Sequence, residues 1–196
     1  MSLKVGVLAL QGAFREHREM FEALGATVVE VRTPSHLGGT DALVLPGGES
    51  TTMRKLLDTA GLLDVLCERI DAGTPVLATC AGLILLASEV SDARDVDGDP
   101  RVMSVLDCTV RRNAYGPQPA SFEAPLTVVG LPGGTFPGVF IRAPVIERTG
   151  RGVEVRSLHD GNPVYVASGP VRATTFHPEL ADDLRLHEQF LSEVTA

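Results

Sequence analysis

Short apolar segments alternate with helical segments through the first half of the chain, and this alternation constrains the fold more than any other feature. Strand-like runs cover 4–10, 27–31, 42–45 and 75–79. Helical spacing or composition follows at 14–24, 53–58, 62–72 and from Cys80 towards Ser88. Nearly unbroken apolar runs are typical of parallel strands covered on both faces. The pattern predicts an α/β fold, a three-layer sandwich around a central, mostly parallel, mixed sheet.

The second half of the chain is richer in strands, which are separated by Gly, Pro and Asn. After a polar loop predicted at 92–101, strand-like segments cover 102–112, 126–129, 138–142, 153–158, 164–167 and 171–176. We expect some of them to be antiparallel additions to the sheet, followed by an amphipathic helix at about 182–194. No internal repeat or linker interrupts the chain, so we predict one domain over 1–196.

Composition excludes several classes of protein. The 196 residues are 44% hydrophobic, and a net charge of −8 without a block of Lys or Arg argues against nucleic acid or an anionic membrane as partner. No signal peptide is visible, and the uncharged stretch 72–88 is interrupted by Gly and Pro and is too short to span a bilayer. Three scattered cysteines support neither a disulfide framework nor a metal site. We therefore expect a cytoplasmic protein without a bound metal.

Three loops that follow predicted parallel strands are candidates for a catalytic or ligand-binding site. They are Gln11-Gly12-Ala13, Gly47 to Thr52, and Cys80-Ala81-Gly82. The carboxyl ends of parallel strands share one edge of the sheet, where ligands of open α/β folds bind. The strand pattern therefore predicts that these loops form a common site.

Cys80 lies between small residues where a strand is predicted to turn into a helix. That arrangement is typical of a nucleophile elbow, in which the side chain projects from the sheet and the next backbone N–H faces a developing oxyanion. The start of a helix also favours the reactive thiolate. A buried core thiol is the alternative for this stretch taken alone.

A cysteine nucleophile needs a base and a group that orients the base. His177 follows the last predicted strand, and in an extended segment Glu179 lies on the same side of the chain. The alternative is a turn that Pro178 begins. The other four histidines, His17, His36, His159 and His187, stand among charged residues, and we expect them to be solvated.

The loop Gly47-Gly48-Glu49-Ser50-Thr51 allows four interpretations. A phosphate loop is disfavoured because no Lys precedes Ser50 or Thr51. A Ser50 nucleophile competes with Cys80, which is better placed. A helix start with a Ser or Thr cap is the structural interpretation. In the fourth, the glycines let a backbone N–H, assigned to Gly48, complete an oxyanion hole with the N–H of Ala81.

Taken together, these segments resemble a known family. The resemblance rests on 6–13, 46–52, 79–84, 112–116, 140–144 and 176–180, in the same order along essentially the whole chain. It is to the glutaminase subunits of pyridoxal 5′-phosphate synthase, a branch of the class I, or triad, glutamine amidotransferases. Cys…His-x-Glu marks only the wider class, whereas LQGA, PGGEST and FIRAP are specific to this branch.

The resemblance implies a role for each matching residue. Cys80 would be the nucleophile, His177 the general base and acid, and Glu179 the residue that orients it. The implied glutamine-binding residues are Gly47, Gly48, Glu49, Ser50, Arg112, Ile141 and Arg142. An Arg could bind the α-carboxylate of glutamine, and Glu49 its ammonium group. Which Arg does so stays open, because a surface ion pair is the alternative for either one.

The resemblance also implies a reaction and a partner. The reaction is hydrolysis of L-glutamine to glutamate and ammonia, without a cofactor. Ammonia would pass to a separate barrel-shaped synthase subunit, whose binding near Gln11 and the Gly47–Ser50 loop would raise a weak basal activity. The rival hypotheses are a stand-alone cysteine hydrolase and a non-catalytic regulatory subunit.

Two positions depart from the family pattern. Ala78 stands where the family usually has a glycine two residues before the cysteine, and its methyl group fits only if φ at that residue is negative. Pro117 stands where the family commonly has an arginine.

Overall fold

The computed structural model describes residues 2–92, 103–112 and 121–195. Its strands are β1 (Lys4–Leu8), β2 (Thr27–Val31), β3 (Ala42–Leu45), β4 (Val76–Thr79), β5 (Ala87–Val90), β6 (Leu106–Arg111), β7 (Ser121–Leu126), β8 (Phe136–Ile141), β9 (Val145–Thr149), β10 (Glu154–His159), β11 (Asn162–Ser168) and β12 (Val171–Thr174). The α-helices are α1 (Phe14–Ala23), α2 (Ser50–Thr59), α3 (Leu63–Asp71), α4 (Ala81–Leu86) and α5 (Arg185–Val194). Short 3₁₀ helices cover Pro34–Leu37 and Pro178–Leu180.

Seven strands form the central sheet, in the order β10-β11-β12-β4-β3-β1-β2. The five strands from β12 to β2 run parallel to one another. β10 and β11 continue the sheet in antiparallel fashion at one edge. The predicted mostly parallel, mixed sheet is confirmed.

Alternating side chains of the central strands enter two separate cores. Leu43 and Leu45 of β3 pack with α2, α3 and α4, whereas Ala42 and Val44 of the same strand lie in the other core, with Phe21 of α1 and Phe190 of α5. Successive residues of a strand point to opposite faces, so an apolar strand can bury both. The result is the predicted three-layer sandwich.

Smaller sheets flank the central one. β5, β6 and β9 form a three-stranded sheet, and β7 and β8 pair as an antiparallel ribbon. His177 N donates a hydrogen bond to Val139 O of β8, at 2.8 Å, and thereby ties this ribbon to the end of the central sheet.

Several sequence predictions need correction. The strand predicted at 126–129 is wrong, since β7 ends at Leu126. The helix predicted after Cys80 is shorter, because the chain becomes β5 at Ala87. β9 was not predicted at all. These segments belong to the flanking sheets, where pairing across distant positions overrides local apolar pattern.

Other expectations are not tested by these residues. Most of the polar loop predicted at 92–101 lies outside them, as does 113–120, which contains Pro117. None of the described helices is long and apolar enough to cross a membrane. The single domain over 1–196 stays a prediction.

Candidate active site

One cavity lies at the carboxyl edge of the parallel strands. It has a volume of about 320 Å³, which lies at the small end of the range for ligand sites. The loops that follow β1, β3 and β4 meet there, as the strand pattern predicts, and the segment after β12 joins them. The lining residues are Gln11, Gly12, Ala13, Gly47, Gly48, Glu49, Ser50, Cys80, Ile84, Arg112, Ile141, Arg142, His177 and Leu180. The structure thus brings together every predicted glutamine-binding residue, with two of the three proposed triad members in the cavity wall.

Cys80 is held in a strained turn between β4 and α4. Its φ and ψ are 49° and −101°, in a region that L-residues rarely adopt. The backbone N–H of Cys80 donates to Thr174 O of β12 at 2.8 Å, which anchors the turn to the sheet. Its Sγ lies 4.0 Å from Ile141 O, at the wall of the cavity. This geometry corresponds to the nucleophile elbow predicted from sequence.

Gly82 explains how α4 can begin so close to the sheet. A Cβ at this position would lie 2.1 Å from Leu45 O, so any side chain would push α4 away from β3. Ala78, by contrast, is fully buried in β4 and has no positive φ. Its methyl group therefore fits where the family usually has a glycine, and the strain of the turn falls on Cys80.

His177 and Glu179 form a short hydrogen-bonded pair behind the cavity. The Nδ1–Oε1 distance is 2.8 Å, and Glu179 is 3% exposed. Burial lowers the pKa of His177, but its interactions with Cys80 and Glu179 outweigh burial and raise the pKa to about 10. Burial opposes the ionisation of Glu179, yet nearby His17 and His177 hold the pKa of its carboxyl below the usual range. The His177 ring therefore lies between the Cys80 sulfur and the Glu179 carboxylate, the order that a nucleophile, its base and an orienting group require.

The two glycines after β3 allow the substrate loop to approach the triad. A Cβ at Gly47 would lie 2.2 Å from His177 Cε1, and one at Gly48 would lie 2.4 Å from Gln11 Oε1. The loop is tied to the segment after β1 by two hydrogen bonds. Ala13 N donates to Gly47 O at 3.0 Å, and Glu49 N donates to Gln11 Oε1 at 2.9 Å. Side chains larger than hydrogen at 47 and 48 are therefore incompatible with this packing.

The start of α2 differs from the expected Ser or Thr cap. The helix begins at Ser50, and Glu49 caps it by accepting hydrogen bonds from Thr51 N at 3.0 Å and Thr52 N at 2.7 Å. Burial raises the pKa of Glu49, but these bonds and one from the Thr52 hydroxyl outweigh it and keep the pKa below its usual range. The carboxylate is thus ionised at the cavity rim while it also stabilises the helix.

The two candidate arginines differ in their surroundings. The Arg112 guanidinium donates to Asp92, through Nε to Oδ1 at 3.3 Å and through Nη2 to the main-chain oxygen at 3.4 Å. Arg142 is exposed and has a φ of 43°, which turns the chain at the end of β8. Both line the cavity, so either guanidinium is available to a carboxylate there.

The expectation that His17 and His187 are solvated is wrong. Both are fully buried, and His17 Nε2 lies 3.3 Å from Glu179 Oε2. A helical signal could have indicated this, because His17 lies four residues before Phe21 and His187 lies three before Phe190, on the apolar faces of α1 and α5. His36 is exposed and His159 is partly exposed, closer to the expectation. Ile84 and Leu180 also line the cavity without having been predicted.

Among the described residues no group of His, Cys, Asp and Glu side chains is arranged to hold a metal ion. The free cysteines outside the cavity are poor nucleophiles. Burial raises the pKa of Cys67 and raises that of Cys108 to about 12. Cys80 is thus the cysteine whose surroundings suit nucleophilic chemistry.

Curated relatives match this chain over its full length. A protein of Mycobacteroides abscessus described as pyridoxal 5′-phosphate synthase subunit PdxT is 50% identical over 196 residues, which is all of both chains. A protein of the same description from Thermotoga neapolitana is 47% identical over 98% of this chain and 100% of its own.

Solved structures agree with the fold. A crystal structure of a glutamine amidotransferase superposes with a TM-score of 0.89 at 48% identity, covering 98% of this chain and 99% of the other. A putative GMP synthase protein from Thermoplasma acidophilum has a TM-score of 0.72 at 19% identity, over 100% of this chain and 95% of its own, and supports the fold alone. The model of the SNO glutamine amidotransferase family matches residues 7–196. The family resemblance read from the sequence motifs is confirmed, and the chain belongs to the SNO glutamine amidotransferase family.

Proposed function

We propose that this chain is a glutaminase that hydrolyses L-glutamine to L-glutamate and ammonia and supplies the ammonia to a pyridoxal 5′-phosphate synthase subunit. The observation that carries the proposal is the set Cys80, His177 and Glu179: Cys80 and His177 line the cavity beside the Gly47–Ser50 loop, and Glu179 is hydrogen bonded to His177 behind it. Nucleophile, base and orienting carboxylate in this order are the groups that acyl transfer to a thiol requires.

In the first half-reaction, the Cys80 thiolate attacks the side-chain amide carbon of glutamine. The C=O electron pair moves onto oxygen, and the resulting oxyanion accepts hydrogen bonds from the backbone N–H groups of Ala81 and Gly48. The Ala81 N–H is free for this role because it is the first residue of α4 and has no intrahelical acceptor. His177 gives its proton to the departing nitrogen, so ammonia leaves and a glutamyl thioester remains.

In the second half-reaction, water attacks the thioester. His177 takes a proton from the water, the second oxyanion collapses, and the Cys80 sulfur leaves as glutamate is released. The imidazolium is then restored beside the thiolate, which is the state in which the cycle began. Glu179 accepts the hydrogen bond from His177 Nδ1 throughout and stabilises each imidazolium.

The charges around the cavity fit free glutamine. Its α-carboxylate can bind the guanidinium of Arg112 or Arg142, and its α-ammonium group can approach the ionised Glu49. Gly47, Ser50 and Ile141 also line the cavity, and the family resemblance assigns them to glutamine binding. These groups recognise the amino-acid end of the substrate and place its amide at Cys80.

The partner is inferred from relatives. The Mycobacteroides and Thermotoga proteins, which match 100% and 98% of this chain, are each described as a subunit of pyridoxal 5′-phosphate synthase. A subunit that makes ammonia needs a second protein to use it, because free ammonia is largely protonated at neutral pH and is then not nucleophilic. We therefore propose that the synthase subunit receives ammonia from this chain.

The test is glutamate release by the purified chain, measured with and without a synthase subunit. Cys80→Ala should lower the rate by ~10⁴-fold or more, since little beyond binding groups remains once the nucleophile is gone. Cys67→Ala is the matched control and should retain activity, because this cysteine lies on α3 away from the cavity. An electrophilic glutamine analogue should also label Cys80, which peptide mass spectrometry would detect.

Two results would contradict the proposal. Undiminished glutamate release by folded Cys80→Ala would remove the triad assignment. If the wild type released no glutamate even with the synthase subunit, the proposed glutaminase activity would be wrong, and a non-catalytic subunit would be favoured.

A further inference from the structure

The carboxylate of Glu179 has neighbours on two sides, and only one side contains the triad. Its Oε1 accepts from His177 Nδ1 at 2.8 Å and, at 3.4 Å, from the hydroxyl of Thr79. Its Oε2 makes no aligned hydrogen bond within the described residues, and His17 Nε2 lies 3.3 Å from it. A buried carboxylate oxygen that lacks a donor is costly. Whatever lies at Oε2 therefore decides how firmly Glu179 is held.

His17 occupies that position through a set of short contacts. Its Nε2 lies 3.2 Å from Thr79 Oγ1, and its Nδ1 lies 2.9 Å from His187 Nε2. Thr79 in turn donates to Glu179 and directly precedes the nucleophile. The contacts join α1, α5, the end of β4 and the segment after β12, so they fix Glu179 relative to the elements that carry Cys80 and His177.

One assignment of the histidine protons satisfies these contacts. If His17 carries its proton on Nε2, that N–H donates to Thr79 Oγ1 with Glu179 Oε2 close by, and His17 Nδ1 can accept from His187 Nε2–H. The remaining atom, His187 Nδ1, is then a lone pair without a partner among the described residues. The opposite tautomers would aim the lone pair of His17 Nε2 at a carboxylate and bury an unpaired N–H at His187 Nδ1. Burying an unpaired donor in addition to that repulsion is unfavourable.

The surroundings keep both rings neutral. Phe21 packs edge-on against His187, with ring centroids 5.0 Å apart, and both histidines are fully buried. Burial lowers the pKa of His17, and burial together with His17 lowers the pKa of His187 to about 3. A neutral N–H donor can hold the carboxylate without neutralising it. A lysine or arginine there would compete with the imidazolium of His177 for the same negative charge.

We propose that His17 is a positioning residue for the triad: its Nε2–H, set by His187, holds the Thr79 hydroxyl and lies beside Glu179 Oε2, so that Glu179 stays aligned with His177. This inference rests on the proposed glutaminase activity, although its first test does not. The role is distinct from that of the triad, since His17 touches neither the cavity nor Cys80.

The first test needs no variant and no activity. Nitrogen-15 NMR of the wild-type chain should show His17 and His187 as neutral Nε2–H tautomers at pH 7. His187 should stay neutral between pH 5 and 8. A proton on Nδ1 of His17 with a bare Nε2 would overturn the proposal, because His17 would then offer no donor to Thr79 or Glu179.

The second test separates positioning from binding. His17→Leu removes both nitrogens, and His17→Gln can return an amide N–H near the position of Nε2. With the synthase subunit present, His17→Leu should lower kcat on the order of 10- to 100-fold, the cost seen for outer hydrogen-bond partners of other sites, with KM changed by about 2-fold or less. His17→Gln should recover most of the lost kcat. His36→Leu, at an exposed histidine outside the cavity, is the matched control and should behave as wild type.

The outcomes distinguish the two proposals. Wild type without glutaminase activity would end the proposed function, whatever the NMR result. Active wild type with an unchanged kcat in folded His17→Leu would end the positioning role alone. An equal loss of kcat in His17→Leu and His17→Gln would show that the ring acts by filling space, which also overturns the role of the N–H. Should His17→Leu fail to fold, the NMR result and His17→Gln still decide the matter.

Discussion

Two histidines face the same carboxylate from opposite sides, and their electrostatics differ. His177 borders the cavity, and its contacts with Cys80 and Glu179 outweigh burial and raise its pKa to about 10. His17 lies on the buried side, where burial outweighs the attraction of Glu179 and lowers its pKa. A carboxylate neighbour alone thus does not charge a histidine. The combination of a thiol, an aligned hydrogen bond and partial access to solvent does so on the cavity side.

The groups on the two sides of Glu179 therefore have different roles. On the cavity side, the proposed reaction requires a charged His177 that exchanges a proton with the substrate. On the buried side, neutral donors hold the carboxylate still. Loss of a group on the cavity side should therefore affect the chemical step strongly, whereas loss on the buried side should affect alignment and stability.

Glu179→Gln removes the group that both sides share and should have the largest effect. The amide cannot stabilise the imidazolium and can offer His177 the wrong tautomer, so kcat for glutamine should fall by roughly 10³- to 10⁴-fold. Steady-state glutamate release with the synthase subunit measures this. Glu19→Gln, at an exposed position of α1, should be unaffected. A loss below about tenfold would mean that the carboxylate is not needed for orientation.

Gly47→Ala disturbs the cavity side alone. The added Cβ would lie 2.2 Å from His177 Cε1, so the ring or the loop must shift. A displacement of this kind near the reacting groups costs about 10²-fold in rate. Gly38→Ala is the control, since its Cβ would meet only Ser35 O at 3.6 Å and its φ is −59°. If Gly47→Ala kept wild-type kcat/KM, tight packing of the loop on His177 would not matter for catalysis.

His187→Gln changes the buried side of Glu179 and should have the smallest effect. The effect should appear in how the free energy of unfolding depends on pH. His187 has a pKa of about 3 in the fold against 6.5 for a free histidine, while His17, Glu179 and Phe21 face it from their own elements. As the pH falls, residue 187 therefore binds a proton in the unfolded chain before it does so in the folded one. The stabilisation present above pH 6.5 is lost as the pH falls towards 3. The slope is at most about 1.4 kcal/mol per pH unit for one histidine.

Urea unfolding of both proteins at pH 7, 5.5 and 4.5 measures this contribution. The free energy of unfolding of the wild type should fall more steeply with acid than that of His187→Gln, which has no titrating group at this position. Parallel pH profiles would show that His187 is not neutral in the fold and would weaken the contrast between the two sides of Glu179.

Much of the site followed from local pattern. Apolar runs of strand length predicted β1, β3 and β4, and the loops after them meet at one cavity because parallel strands end at a common edge. The spacing of His177 and Glu179 predicted that they share a face, and they are hydrogen bonded. The order of motifs predicted the family that the comparisons confirmed. These features depend on residues close together in the chain, whose geometry a strand or turn largely dictates.

The buried side of Glu179 could not be read in the same way. Its groups come from positions 17, 79, 179 and 187, and the charged neighbours of His17 and His187 favoured a solvated interpretation. Whether such a histidine faces water depends on which helix face packs on the sheet, and that was set by Phe21 and Phe190 in a core shared by α1 and α5. Local pattern thus sufficed to predict the cavity side, whereas the packing of distant segments determined what holds the carboxylate in place.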